Sequence, residues 1–364
     1  MKYHNPLKKI LSENRRFWDV QDTRPAVRNA FVKALQCGTA ALGAEVYSSD
    51  FQERIVFHTC KGRACPSCGV RATSQWQRER WAALPDVPFK GITFTMPDVL
   101  WPFFGDRKLA RLLPVLAAKT LEAWVRAKFG LEIGIIAILH TFNGKLQFNA
   151  HVHTMVTAGG LHMSGLWTTV SYEVDAITNY WRKGVIRLLR ASLRNGLLCT
   201  DLSPEQTKII LTQQENRWWS VKIQSLGSKQ QFLQYAGRYA RRPPIAQRRI
   251  TYIDRTTVKF WANDKRLHRR MFFQLTAQEF LRAWMQHIPD RYEHAVRSFG
   301  LFSPRMISNS SAAVLDIFGQ RPRRRPKRLS WSYSIKRDFG WDPLLDRRGN
   351  RMRWARRIAP KIKS

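Results

Sequence analysis

The chain has 364 residues, with 62 Lys and Arg against 26 Asp and Glu, and a formal net charge of +36. A surplus of that size repels itself unless a polyanion neutralises it, and nucleic acid rewards each such contact by releasing counterions. No run approaches the roughly 20 apolar residues that span a bilayer, and five cysteines, four of them before residue 69, do not form the framework of a small secreted domain.

The N-terminus, Met1 to Trp18, is charged and lacks the apolar core of a secretion signal, so an intracellular chain is expected. Residues 1–35 read as a basic helical lead-in. A zinc-binding module is expected over residues 36–82. There Cys60, Cys65 and Cys68 fall within nine residues, beside Lys61, Gly62, Arg63, Pro66 and Gly69. That company suits a tight turn that brings thiolates to one ion, and it makes a poor core segment. Cys37 is the candidate fourth ligand of a structural Zn2+, and His58 is the other candidate. Cys199 stands alone and reads as a core residue.

From Pro88 onward, strands and helices alternate. Lys90 to Met96 alternates in polarity and stops at Pro97, which predicts a strand. Arg107 to Phe129 repeats Leu and Trp at helical spacing. Ile133 to His140 reads as a buried strand, and Gly144 marks the turn into Phe148–Val156. Alternation along that second strand sends Asn149, His151, His153 and Met155 to one face, and Phe148, Ala150, Val152, Thr154 and Val156 to the other. The two imidazoles then project the same way, about 7 Å apart, and can seat a divalent metal. Strands joined by a short turn pair antiparallel. His140 therefore reads either as a third ligand or as a hydrogen-bonded histidine at a strand end. Gly159-Gly160 is expected to close this hairpin, Asn179 to Leu198 to form a basic amphipathic helix, and Arg217 to Gln224 another strand.

Ser228 and Gln231 have the spacing of a capping box, and Pro243-Pro244 stops a helix, so one is expected between them. Tyr235 and Tyr239 are four apart and would share a face of it, flanked by the phosphate-binding guanidinium groups of Arg238, Arg241 and Arg242. A lone tyrosine pair on a helix is more often packing. Beside a His pair and three arginines it reads as chemistry. The segment Ile250 to Leu275 alternates as a hairpin would, with helices after Thr276. No Gly-x4-Gly-Lys-Ser/Thr phosphate loop is present.

Together these motifs resemble the two-tyrosine, rolling-circle insertion-sequence transposases of the HUH endonuclease superfamily. The resemblance runs from about Cys37 to Gly300. It rests on the cysteine turn Cys60–Gly69, on His151-Val152-His153, on Tyr235 through Ala246, and on the segments Glu279–Arg282 and Val296–Gly300. It implies an α+β fold: an antiparallel RRM-like sheet covered by helices on one face over residues 88–300, with the zinc-binding module before it. It implies that Mg2+ or Mn2+ sits on His151, His153 and a third ligand. It also implies that Tyr235 or Tyr239 attacks single-stranded DNA at transposon ends and target to leave a 5′-phosphotyrosine. Host helicase or replication machinery would be partners, and the setting would be cytoplasmic and nucleoid-associated. Where many members of the family carry a further Cys-x-x-Cys, this chain reads Val46 to Gln52 without cysteine. Leu345 and Arg348 stand where some relatives have another pair, so a reduced module with one zinc at most is expected.

Residues 301–364 read as a basic, partly disordered tail. Its last 44 residues hold 16 Lys and Arg against 3 Asp, interleaved with Trp331, Tyr333, Trp341 and Trp354, which suits non-specific DNA contact or a solvated end. Two rival functions share much of this pattern. A plasmid replication initiator or relaxase uses the same chemistry, and a non-enzymatic zinc-dependent nucleic-acid binder explains the charge and cysteines alone.

Overall fold

The computed structural model describes residues 6–62, 65–240, 244–264 and 267–361. The lead-in is helical, with α1 (Pro6–Glu13), α2 (Arg15–Trp18) and α3 (Pro25–Gln36). A hairpin follows, β1 (Ala44–Ser48) and β2 (Glu53–Phe57), and then α4 (Pro66–Ala83), which opens on a proline whose missing N–H costs nothing in the first turn. After β3 (Phe89–Phe94), the expected helix over 107–129 is two: α5 (Arg107–Ala110) and α6 (Leu113–Phe129). Pro114 starts α6 rather than continuing a helix, because it has no N–H to donate to the preceding turn.

Next come β4 (Leu131–Glu132), β5 (Gly134–Phe142), β6 (Phe148–Thr157), β7 (Gly159–His162) and β8 (Trp167–Thr169). Gly159 and Gly160 therefore open a strand of a separate β4-β7-β8 sheet, where the sequence had them closing the hairpin. A Cβ on Gly160 would lie 2.7 Å from the Glu132 carbonyl oxygen, so a close backbone approach explains the glycine better than a turn does. Helix α7 spans Val174–Arg194, and α8 (Pro204–Glu215) carries a complete capping box, Ser203 with Gln206, that sequence reading passed over. Cys199, expected in the core, is exposed between them. The chain continues with β9 (Val221–Ser225), α9 (Lys229–Gly237), β10 (Ile250–Ile253), β11 (Thr257–Asp264), β12 (Arg269–Thr276), α10 (Ala277–Gln286), β13 (Val296–Gly300), α11 (Ile307–Ile317), α12 (Trp331–Phe339) and β14 (Arg353–Ile358). The expected hairpin over 250–275 is thus a three-stranded meander.

The centre is a five-stranded sheet in the order β13-β5-β6-β3-β9, with every neighbouring pair antiparallel. Strand alternation divides its side chains into two cores. Ile92, Phe94, Ile135, Ala137, Leu139, Ala150 and Val152 pack against α6 and α7 through Leu121, Trp124 and Trp181. On the opposite face, Phe89, Ile136, Ile138 and Met155 meet Phe232 and Ala236 of α9 and Trp76 of α4. Notably, both faces are covered, where cover on one face was expected. Edge strand β13 ends at Gly300, whose φ of +53° and 2.0 Å approach of a would-be Cβ to the Ile133 carbonyl oxygen exclude a side chain.

Lys8 of α1 donates to the Cys37 carbonyl at the end of α3, but the apolar side of the lead-in helices faces elsewhere. Leu7, Ile10, Trp18, Val27 and Phe31 form a satellite core with Val258, Phe260, Phe280 and Trp284 of β11 and α10. An ion pair ties this end of the fold to α5. The Arg107 guanidinium donates to Glu293, with Nε–Oε2 at 3.1 Å and side chains only 10% and 2% exposed. Removing one partner leaves the other charge buried and unmatched. Arg107→Met is therefore expected to cost about 3–5 kcal/mol of stability in a denaturant titration, and Arg107→Met with Glu293→Leu to recover most of it. A loss below ~1 kcal/mol for the single variant would show the pair to be dispensable.

The C-terminal residues differ most from expectation. Residues 321–330 form no helix or strand, but the chain then re-enters the fold. Strand β14 pairs antiparallel with β1, Tyr47 opposite Trp354 and Ala44 opposite Ile358. Acidic residues of the module draw it in. Arg356 donates to both carboxylate oxygens of Glu53 at 2.7 and 3.3 Å, and Trp354 Nε1 donates to Glu45 at 2.8 Å. Trp331 donates to the Tyr47 hydroxyl at 3.0 Å. The +13 of these residues hid a strand whose partner lies some 300 residues earlier. Among the described residues, no helix is long and apolar enough to cross a membrane.

Candidate active site

The register of the β5–β6 hairpin builds the histidine cluster. His140 sits directly opposite His151, and His153 follows two residues on, on the same face. One ligand nitrogen from each lies within 4.8 Å of the others. Ring centroids are 5.4 Å apart for His140–His151, 5.3 Å for His140–His153 and 4.9 Å for His151–His153. His140 and His153 are buried and His151 is half-buried. Strand β5 runs on to Phe142, so His140 is not a strand end.

Hydrogen bonds orient the rings. His151 Nδ1 lies 2.8 Å from the Asn149 carbonyl, which can only accept, so Nδ1 carries the proton and Nε2 is the ring's lone-pair nitrogen. His140 Nε2 lies 3.4 Å from the Tyr239 carbonyl. His153 Nδ1 is 3.1 Å from both Thr93 Oγ1 and the Tyr235 hydroxyl. Sequence reading missed Thr93, although a threonine among the apolar residues of β3 was a visible signal.

Both tyrosines reach this face of the sheet. Ser228 Oγ caps α9 by accepting from Gln231 N at 3.2 Å, as its spacing predicts. The helix ends at Gly237, however, short of the prolines expected to stop it. Tyr239 therefore lies in the following turn, held by its N–H to the Ala236 carbonyl at 3.0 Å. The turn stacks the Tyr239 ring on His153 at 3.7 Å and 18°, and brings it within 5.1 Å of His140. Tyr235 is 6.1 Å from His153 and 5.0 Å from Tyr239. Burial pushes the Tyr235 phenol up to about 12 and raises Tyr239 as well. Both phenols therefore keep their protons near neutral pH. Arg238 is exposed beside the pair. Arg241 and Arg242 lie outside the described residues.

The four N-terminal cysteines converge separately. Cys37 caps α3, Cys60 follows β2, Cys65 precedes α4 and Cys68 sits in its first turn. Their sulfurs all lie within 4.8 Å, with Cys37–Cys68 and Cys60–Cys68 at 3.7 Å. Sulfurs placed tetrahedrally about 2.3 Å from one zinc would be about 3.8 Å apart, so the donor set fits that ion. Hydrogen bonding from Cys37, then Cys60 and Cys68, holds the Cys65 thiol far below its ordinary range. His58 is committed elsewhere, to the Leu42 carbonyl at 3.0 Å and Glu45 at 3.2 Å.

Two families match parts of this chain. Residues 134–311 match a family described as "Putative transposase", and residues 10–96 match one described as "Transposase zinc-binding domain". The chain is 32% identical over 289 residues to the "Transposase for insertion sequence element IS801" of Pseudomonas savastanoi pv. phaseolicola, covering 75% of this chain and 70% of that one. It is 26% identical over 302 residues to the "Putative transposase y4qJ" of Sinorhizobium fredii (strain NBRC 101917 / NGR234), covering 78% and 76%. No solved structure matches.

Proposed function

The chain belongs to the IS91 family of two-tyrosine transposases with an N-terminal zinc-binding domain, and from that premise we propose that it nicks and rejoins single-stranded DNA through a covalent phosphotyrosine. The observation that carries this reading is the meeting of two phenols with three imidazoles on one sheet face. In this proposal the five-stranded sheet is the RRM-like palm of an HUH nuclease, and residues 88–300 form the catalytic domain. Residues 36–82, extended by α12 and β14, form the zinc module, and residues 1–35 are a helical brace.

His151, His153 and His140 would hold the divalent ion, which when bound supplies a Lewis acid for a phosphate oxygen. Three imidazoles suit Mn2+ better than Mg2+, which holds to an oxygen shell. Thr93 and His153 orient the Tyr235 oxygen, and the stack on His153 fixes Tyr239 beside it. The attacking phenolic oxygen forms a bond to phosphorus as the bond from phosphorus to the 3′ oxygen breaks. The phenolic proton is lost, and the leaving oxygen ends as a free 3′-OH. Attack by a 3′-OH on the phosphotyrosine reverses the step without nucleotide, in keeping with the missing phosphate loop. Arg238, with Arg241 and Arg242, would bind flanking phosphates. The substrate in this scheme is single-stranded DNA at transposon ends and target, with host helicase or replication machinery opening the duplex.

The test is metal-dependent nicking of a single-stranded oligonucleotide from the element's end. Wild type with Mn2+ is expected to leave an extendable 3′-OH and a protein-blocked 5′ end. His151→Ala, at a half-buried position, should keep the fold and lose about 10³-fold in rate. Nicking that survives both chelation and His151→Ala would refute the metal site. A non-enzymatic binder would form no blocked end at all.

A further inference from the structure

The outer face of the β10–β12 meander takes no part in the chemistry above, yet it displays aromatic rings to solvent. Alternation points Val258 and Phe260 inward, onto the lead-in helices, and buries Ala262 on the same side, next to Gly144. It points Lys259 and Trp261 outward, with Arg270, Phe272 and Gln274 of β12. Register sets Trp261 opposite Phe272 and Lys259 opposite Gln274, and Tyr252 of β10 lies beside Lys259. Phe272 is 69% exposed and Tyr252 49%. Cations sit over two of the rings: Arg270 is 4.6 Å from the Trp261 centroid, Arg249 5.9 Å from it, and Lys259 5.6 Å from Tyr252. One carboxylate intrudes. Asp254 accepts from the Tyr252 hydroxyl at 2.8 Å but is mainly spent on capping its own turn at Thr256 and Thr257.

We propose that this face is a stacking platform for single-stranded DNA, which it delivers to the histidine–tyrosine site. Exposed flat rings with interleaved cations bind bases through their π-faces and the backbone through its charge, without reading sequence. A protein partner would also cover the rings, but a face carrying three cations on a chain of +36 favours a polyanion. Position supports the same occupant. Arg249 donates both to the Trp261 carbonyl, at 2.7 Å, and to the Gly144 carbonyl in the β5–β6 turn. About 10 Å of strand then separates Phe148 from His151. A strand lying on the platform therefore runs beside the hairpin that carries the histidines. This assignment rests on the proposed single-stranded substrate.

The test is photocrosslinking of the full-length chain to oligothymidylate carrying 5-iodouracil, with the crosslinked peptides identified by mass spectrometry. Crosslinks are expected at Tyr252, Trp261 or Phe272. The pair Tyr252→Ala and Phe272→Ala should weaken binding about tenfold and leave the slope of log affinity against log salt unchanged, because no phosphate contact is lost. Crosslinks confined to residues outside 250–275, or affinity within about twofold of wild type, overturn the platform. So does a concentration-dependent dimer that the alanine pair abolishes, since that makes the face a joint between copies. Failure of the nuclease reading is distinct: no blocked 5′ end forms on any oligonucleotide, even while platform crosslinks persist.

Discussion

Tyr235→Phe and Tyr239→Phe should each abolish transposition in a mating-out assay, a loss on the order of 10⁴-fold or more. At least one of the two should still make a single nick. Phenylalanine keeps each ring where it is, the Tyr239 ring on His153 and the Tyr235 ring in its buried site. Only the nucleophilic oxygen goes, along with its hydrogen bonds to Thr93 and His153 in the case of Tyr235. In the proposed scheme one phenol holds a transposon end while the other takes the incoming strand, so a complete cycle would need both and a single cut only one. The double variant should make no covalent product. Full transposition by both single variants would rule out the two-nucleophile scheme.

Loss of the four-cysteine cluster should have the largest effect on stability. Structural zinc contributes about 10–16 kcal/mol in isolated finger peptides, and here the sulfurs tie together the end of α3, the end of β2 and the start of α4. Cys65→Ser, or chelation, is expected to abolish hydrogen-exchange protection across β1, β2 and β14. Strands β5 and β6 should keep theirs, because the larger of their two cores, against α6 and α7, draws no side chain from the module; Trp76 of α4 meets only the other face. A second consequence follows from α4, where Gln77 donates to the Leu233 carbonyl of α9 at 2.7 Å. Freeing α4 loosens the tyrosine helix, and nicking should fall by about tenfold. Unchanged protection in β1 and β2 after zinc removal would show the cluster to be structurally idle.

Much of the site was legible because it depends on short periods. Alternation alone put His151 and His153 on one face and Val152 in the core, and a cysteine turn announces itself by spacing. The position of Tyr239 was not legible. A four-residue interval is the same on a helix and on a helix continued by a turn, and only packing decided that α9 ends at Gly237. Thr93 stood out as a threonine in an apolar strand, but its role was hidden because its partners, His153 and Tyr235, are 60 and 142 residues away in sequence. The return of β14 to β1 was hidden by charge. Six of the eight residues from Arg321 to Arg328 are cationic and argue for solvent, while the carboxylates that receive Trp354 and Arg356 lie in the N-terminal module. Three strands instead of two over 250–275 is the ordinary ambiguity of alternating segments, since a short edge strand such as β10 carries little pattern of its own.

The most direct measurement is to digest the protein–DNA adduct formed with Mn2+ and locate the nucleotide by tandem mass spectrometry. The expected result is a nucleotide on the phenolic oxygen of Tyr235 or Tyr239, joined through the 5′ phosphate and absent when His151 is alanine. A nucleotide on any other residue, or an adduct indifferent to the loss of His151, would mean that the imidazoles and phenols do not share one reaction.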